Sequence, residues 1–270
     1  MSTVSTRRKI TTKTIRARKG KTKITSLTAY DYPTAKLVDA ARVDVILVGD
    51  SLGMVVLGYP DTTHVTVDDM VHHTKAVSRA RPNGLLVADM PFLSFGVTRS
   101  ETILNAGRLI REGGAEAVKL EGGVRVKDDI RALVECQIPV MGHVGLTPQS
   151  VHHFGGFRVQ GKKDDDADQV VRDAVAVQEG GGFSVVLEGI PAPLGARITR
   201  EIDIPTIGIG AGVECDGQVL VTHDMLNLFQ DFTPKFVKVY AALGGDSLAA
   251  MERFCQEVRD GIFPAEEHSF

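Results

Sequence analysis

Val43-Asp44-Val45-Ile46-Leu47-Val48-Gly49-Asp50 sets the reading of the whole chain. It is a short, near-continuously apolar run, rich in β-branched residues, that closes on a glycine and an ionisable residue. Strands with one face in water alternate apolar and polar residues, whereas strands covered by helices on both faces do not. Runs of the same kind recur at Ile24–Tyr30, Leu85–Ala88, Ala117–Leu120, Val140–His143, Ser184–Leu187, Thr206–Ile209 and Phe236–Tyr240, eight in all. Helical patterns lie between them at Pro33–Arg42, Val67–Arg81, Ser100–Glu112, Lys127–Cys136, Asp166–Gly180, Leu194–Glu201 and Asp216–Leu228, and Ser247–Gly261 closes the chain. Thr66 is placed to cap one helix and Gly113-Gly114 to end another. Strict alternation of strand and helix predicts a closed parallel TIM (β/α)8 barrel over residues 24–270, behind a basic tail and lead-in helix over 1–23. The rival, an open doubly wound sheet, is weakened because no Gly-x-Gly-x-x-Gly turn opens the first helix.

Composition agrees. The 270 residues are 43% hydrophobic, enough for one sizeable core. A net charge of −3 gives no reason to expect a nucleic-acid partner. Cys136, Cys215 and Cys255 are too few and too widely spaced for a disulfide framework or a zinc site, so a reducing cytoplasm is the default. No apolar run approaches the roughly 20 residues that span a membrane. The first 23 residues carry nine Lys and Arg and no acid. That composition suits an organelle-targeting peptide. It equally suits a basic tail whose short helix, Thr14–Lys19, leads straight into the first strand, and this second reading is preferred.

Barrel chemistry sits at the C-terminal ends of strands. Here those ends carry Asp50-Ser51, Asp89, Lys119-Leu120-Glu121, His143 and Glu188. One such carboxylate is more often a helix cap. Four on four strands would repel one another and resist burial unless a cation joined them. Oxygen ligands suit Mg2+ or another hard cation, with Asp50 and Asp89 as the natural pair and Glu121 bound directly or through water. His143 as a ligand would favour zinc or cobalt, but no His-x-x-x-His pattern supports such a cage. His72-His73 and His152-His153 read as surface features. Lys119 and Glu121 flank Leu120, share one strand face, and should point inward. Lys119 is then either a neutral amine for a Schiff base or a cation holding a substrate carboxylate, and the flanking acids favour the cation. Gly155–Gly161 lies in a long loop that reads as a lid or a solvated excursion. Gly208, Gly210 and Gly212 either turn amides toward an anion or relieve crowding.

In order along the chain, several segments resemble the ketopantoate hydroxymethyltransferase family. They are Thr28-Ala29-Tyr30-Asp31-Tyr32-Pro33, Val48-Gly49-Asp50-Ser51, Asp89-Met90-Pro91-Phe92, Val118-Lys119-Leu120-Glu121-Gly122-Gly123, Gly142-His143-Val144-Gly145-Leu146-Thr147-Pro148-Gln149-Ser150, Gly156-Phe157-Arg158-Val159-Gln160-Gly161 and Ile207-Gly208-Ile209-Gly210-Ala211-Gly212. The resemblance implies a TIM barrel of the phosphoenolpyruvate/pyruvate type in pantothenate and coenzyme A biosynthesis. It implies transfer of a hydroxymethyl unit from 5,10-methylenetetrahydrofolate to 3-methyl-2-oxobutanoate, giving 2-dehydropantoate. It assigns Mg2+ to Asp50, Asp89 and Glu121, keto-acid contacts to Asp50, Ser51, Asp89 and Lys119, and the general base to Glu188. His143 is placed to hydrogen-bond the substrate or tune a ligand. A cytoplasmic homo-oligomer, commonly a decamer of two pentameric rings, is expected. Two departures stand out. Leu93-Ser94-Phe95 replaces the usual Gly-Ser-Tyr, losing a hydroxyl, and Gly189-Ile190-Pro191 lacks a bulkier residue after Glu188. The rivals are a keto-acid aldolase or isocitrate-lyase-type lyase, which would use no folate, and a non-catalytic barrel, which the retained carboxylates disfavour.

Overall fold

Side chains along the apolar runs are buried on both faces and alternate, with a period of two, between two hydrophobic clusters. In a computed structural model, which describes residues 8–270, eight parallel strands close into a barrel in chain order. They are β1 Ile24–Thr28, β2 Val45–Val48, β3 Leu85–Asp89, β4 Ala117–Glu121, β5 Val140–Gly145, β6 Ser184–Glu188, β7 Thr206–Ile209 and β8 Gly217–Leu220. Ile24, Val45, Leu47, Leu85, Val87, Ala117, Met141, Val186, Ile207 and Val219 form the inner cluster. Their neighbours Ile46, Val48, Leu86, Ala88, Val118, Leu120, Val185 and Leu187 face the helices. Both faces are therefore dry, which is why the runs do not alternate apolar with polar.

The helices of five residues or more are α1 Thr12–Arg16, α2 Tyr32–Ala40, α3 Val67–Ser78, α4 Arg99–Arg111, α5 Lys127–Glu135, α6 Asp164–Glu179, α7 Ala192–Glu201 and α8 Leu243–Arg259. Asp31 caps α2 by accepting from Thr34 N at 2.8 Å, and Thr66 begins α3 in a capping box with Asp69. Contact of α6 with β5 demands a glycine. A Cβ on Gly142 would lie 2.5 Å from the Val177 side chain.

The lead-in helix starts at Thr12, capped by Thr11, rather than at Thr14. Ile10 and Ile15 join the inner cluster and plug the N-terminal end of the barrel. The basic residues that follow have partners: Arg18 pairs with Asp44 at 2.6 Å and Lys19 with Asp216 at 2.9 Å. Residues 1–7 of the expected tail lie outside the described residues.

The last strand differs from the expectation. β8 is Gly217–Leu220, inside the stretch read as a helix, and Phe236–Tyr240 is not a strand. Residues 210–216 cross from β7 to β8 without a helix, so strict alternation fails there. Only Val219 and Leu220 in β8 carry large apolar side chains, too short a run to be noticed by composition.

The chain divides into two compact units, one ending at Leu220 and one beginning at Val221. Within the second, Tyr240 N donates to Met225 O at 2.8 Å and Leu243 N to Leu226 O at 3.0 Å, ahead of α8. Among the described residues no helix is long and apolar enough to cross a membrane.

Candidate active site

The same period of two selects the functional side chains. Leu85, Val87 and Asp89 share one row, as do Ala117, Lys119 and Glu121, then Met141 and His143, then Val186 and Glu188. The apolar members of these rows fill the barrel interior, so the ionisable members continue that interior toward the C-terminal mouth. Strand register sets Asp89 beside Lys119, Glu121 beside His143 and Gly145 beside Glu188. Asp50, just past β2, joins them because its N–H donates to Asp89 Oδ2 at 3.0 Å. Asp50, Asp89, Lys119, Glu121 and His143 are all buried.

Burial of this many charges shifts their proton affinities. Asp50 is raised well above the usual carboxylate range by burial and by repulsion from Asp89 and Glu121, against the pull of Lys119. Asp89 is also raised, by burial, although Lys119 opposes the rise. Lys119 Nζ lies 2.9 Å from Asp89 Oδ1. Burial alone would depress the Lys119 ammonium, but Asp89, Glu121 and Asp50 outweigh it and hold it above its ordinary value. A lysine so held is a cation and not a free amine, which favours the substrate-binding reading over a Schiff base.

His143 stands between two acids. Its Nδ1 is 3.4 Å from Glu121 Oε1 and its Nε2 is 3.1 Å from Glu188 Oε2. Burial and Lys119 oppose a charge on the ring, but hydrogen bonds to Glu121 and Glu188 lift it to about 9. Lys119 Nζ also lies 3.2 Å from Nδ1, a hydrogen bond only if that nitrogen is bare. The flanking carboxylates favour the protonated ring, and Lys119 then serves Asp89.

A family model described as ketopantoate hydroxymethyltransferase matches residues 9–266. The chain belongs to that family. The 3-methyl-2-oxobutanoate hydroxymethyltransferase of Syntrophus aciditrophicus is 55% identical over 271 residues, covering 100% of both chains. That of Trichlorobacter lovleyi is 60% identical over 248 residues, 92% of this chain and 93% of its own. Among solved structures, a phosphonopyruvate hydrolase in complex with oxalate and Mg2+ has a TM-score of 0.63 at 13% identity, covering 96% of this chain and 93% of that one. A 2,3-dimethylmalate lyase of the PEP mutase/isocitrate lyase superfamily has a TM-score of 0.61 at 17% identity, covering 96% and 91%. The fold of this ketopantoate hydroxymethyltransferase family member is thus a TIM barrel, shared with those structures.

Two residues of the site were not singled out from the sequence. Gln149, buried, donates from Nε2 to Asp50 Oδ2 at 2.8 Å and to Met90 O at 2.9 Å, while its backbone N–H donates to Glu121 Oε2 at 3.0 Å. Tyr30 Oη lies 2.8 Å from Ser51 Oγ, which fixes the expected substrate-contacting hydroxyl. Both stand in segments that resemble the family, but no charge marks them. His73, expected at the surface, is half-buried, with Nδ1 2.7 Å from Tyr30 O. His152 is exposed and 3.5 Å from Asp61. The glycine-rich loop is pinned beside the expected base, since Gln160 N donates to Gly189 O at 2.9 Å. Gly208 is a packing concession: a Cβ there would lie 3.0 Å from Cys215 Sγ.

Among the described residues no three His, Cys, Asp or Glu side chains close into a metal cage. The donor chemistry nevertheless fits a hard divalent cation. Asp89 Oδ1 is buried without a hydrogen bond and has only the ion-pair contact with Lys119. Asp50, Asp89 and Glu121 present carboxylate oxygens whose mutual repulsion a dication would relieve.

Proposed function

We propose that this protein transfers the one-carbon unit of 5,10-methylenetetrahydrofolate to C3 of 3-methyl-2-oxobutanoate, giving 2-dehydropantoate for pantothenate and coenzyme A biosynthesis. The observation that carries the reading is the inner row that sets the Glu188–His143 contact beside the Lys119–Asp89 pair. Membership of the family supports the same assignment.

Asp50, Asp89 and Glu121 would hold Mg2+, and when bound the ion polarises the keto group of the substrate and offsets its negative charge. The other steps belong to the chain. Lys119, kept cationic, pairs with the substrate carboxylate. Ser51, steadied by Tyr30, offers a hydrogen bond to the keto acid. Glu188 Oε2 removes the C3 proton, and the charged His143 ring, with Nε2 3.1 Å away, holds that carboxylate in place. Water opens the methylene bridge of the folate, both C–N bonds breaking as its nitrogens take protons, so that tetrahydrofolate leaves and the one-carbon unit is at the formaldehyde level. The C3 carbon so freed adds to that unit, forming the C–C bond, and the oxygen, once protonated, is the hydroxyl of the new CH2OH group. A cytoplasmic homo-oligomer, commonly a decamer in this family, accompanies the reading.

The test combines purified protein, Mg2+, 3-methyl-2-oxobutanoate and 5,10-methylenetetrahydrofolate, with mass spectrometry of the acid product. The hydroxymethylated acid should form only when both substrates are present. Absence of product with both substrates overturns the assignment.

A further inference from the structure

A cavity of about 350 Å3 lies at the end of the barrel opposite the carboxylate cluster. Its walls come from the turn that leads into β1 (Lys19, Lys21, Lys23), from the last turn of α7 (Arg200) and from the crossover that leads into β8 (Glu214, Asp216). We propose that this cavity binds a phosphorylated small molecule through its phosphoryl groups. The proposal does not depend on the reaction assigned above.

The charges in these walls do not cancel. Lys19 is matched, because its ammonium donates to Asp216 Oδ2 at 2.9 Å and to Thr199 O at 2.6 Å. Lys23 donates to the carbonyls of Val213 at 2.9 Å and Cys215 at 2.5 Å, which hold it in place without neutralising it. Among the described residues the side chains of Lys21, Arg200 and Glu214 make no hydrogen bond or ion pair. Three uncompensated cations therefore face one free acid. The chain as a whole carries a net charge of −3, so this basic cavity runs against the composition. A phosphoryl group brings about two negative charges near neutral pH, which matches the surplus, whereas a carboxylate brings one.

The cations are brought together by fixed anchors. Gly20 N donates to Asp216 Oδ1 at 2.9 Å, fastening the turn to the crossover, and the Lys19–Thr199 bond fastens it to α7. Lys21 follows Gly20 and Arg200 follows Thr199, so both uncommitted side chains start from pinned backbone. Asp216 is spent on its partners, Oδ2 also accepting from Thr206 N at 2.9 Å. The carbonyl end of a helix repels anions, but here Lys19 covers one of the last carbonyls of α7. An ammonium has three donors. Lys19 and Lys23 each use two, which leaves one apiece for a ligand oxygen beside the donors of Lys21 and the planar fork of Arg200. The volume falls within the roughly 300–1,000 Å3 of ordinary ligand sites, room for more than a lone phosphate.

Calorimetry in EDTA tests the site, with pyrophosphate, inorganic phosphate and citrate added to the wild-type chain and to Lys21→Ala and Arg200→Ala. EDTA removes the ions through which an anion could reach the carboxylate cluster. Pyrophosphate should bind the wild type, and each variant should bind it about tenfold more weakly, the loss expected of one charge-assisted hydrogen bond. Both substituted residues are exposed, so melting temperatures should stay within a few degrees of wild type. Amide hydrogen exchange in the wild type should slow at residues 19–23 and 213–216 when pyrophosphate is added. Wild-type affinity in both variants would place the anion elsewhere and overturn the proposal. So would a wild-type chain that does not bind pyrophosphate, or exchange that stays unchanged in those two segments. Citrate binding as tightly as pyrophosphate would overturn the phosphoryl assignment. Inorganic phosphate binding more tightly than pyrophosphate would overturn the larger ligand in favour of the free ion.

Discussion

Gln149 Nε2 sits 2.8 Å from Asp50 Oδ2, tying the segment after β5 to the end of β2. Its second partner, Met90 O at 2.9 Å, is also an acceptor, so the amide can present only its NH2 group here. One side chain therefore aims a carboxylate without adding charge. Gln149→Met keeps the volume and removes the donors. Turnover should fall by about 10- to 100-fold, as when an outer partner of a metal-binding carboxylate is lost. The melting temperature in EDTA should stay within a few degrees of wild type. Full activity in the variant would assign Gln149 to packing.

Glu188→Gln separates proton removal from binding. The amide keeps the shape and loses basicity, so exchange of the C3 proton with D2O should disappear. Affinity for 3-methyl-2-oxobutanoate should remain within a few-fold of wild type. Persistent exchange, followed by proton NMR, would exclude Glu188 as the base.

Removal of divalent ions tests chelation. With EDTA present, calorimetric binding of the keto acid should be lost, and Asp50→Ala should weaken both ion and keto-acid binding. Equal affinity with and without EDTA would leave the acids with no ion to hold.

Asp216 governs an acid-sensitive contact far from the chemistry. Burial raises its carboxyl, but the N–H groups of Thr206 and Gly20 and the Lys19 ammonium outweigh burial and bring it below the ordinary value of 3.8. A depressed folded value means the stabilisation is fully present above about pH 4 and is lost as the pH falls through the folded pKa. Asp216→Asn should cost about 2 kcal/mol at pH 7, and the difference from wild type should shrink below pH 4 in urea titrations. A constant difference down to pH 2 would rule out ionisation as the cause.

Leu93, which stands where the family resemblance leads one to expect glycine, keeps a left-handed backbone at φ +59. That conformation costs a non-glycine residue roughly 1–2 kcal/mol, part of which glycine gives back through its freer unfolded chain. Leu93→Gly should therefore raise stability by about 0.5–1 kcal/mol in chemical denaturation. A destabilised variant would mean the exposed leucine is held by contacts that outweigh the strain.

The site was legible wherever a charge interrupted an apolar run. Lys119 and Glu121 follow two-residue spacing from Ala117, so their inward direction could be read before any coordinates. Asp89 and Glu188 terminate their runs in the same way. Gln149 and Tyr30 could not be picked out, because an uncharged amide in a loop and a phenol closing an apolar run carry no pattern until their partners are known. The last strand was misread for a related reason. Gly217-Gln218-Val219-Leu220 has a weak apolar signal, and its pairing with Ile24–Leu27 supplies what composition lacks.

Local sequence determined the period-two rows, the caps at Asp31 and Thr66 and the family, since each depends on neighbours a few residues away along the chain. Only the closed barrel decided the rest. It brings Asp50 within reach of Gln149, sets His143 between Glu121 and Glu188, and lets residues 210–216 return without a helix. Those relations join segments far apart in sequence, and ring closure sets the stagger of the strands that brings them together.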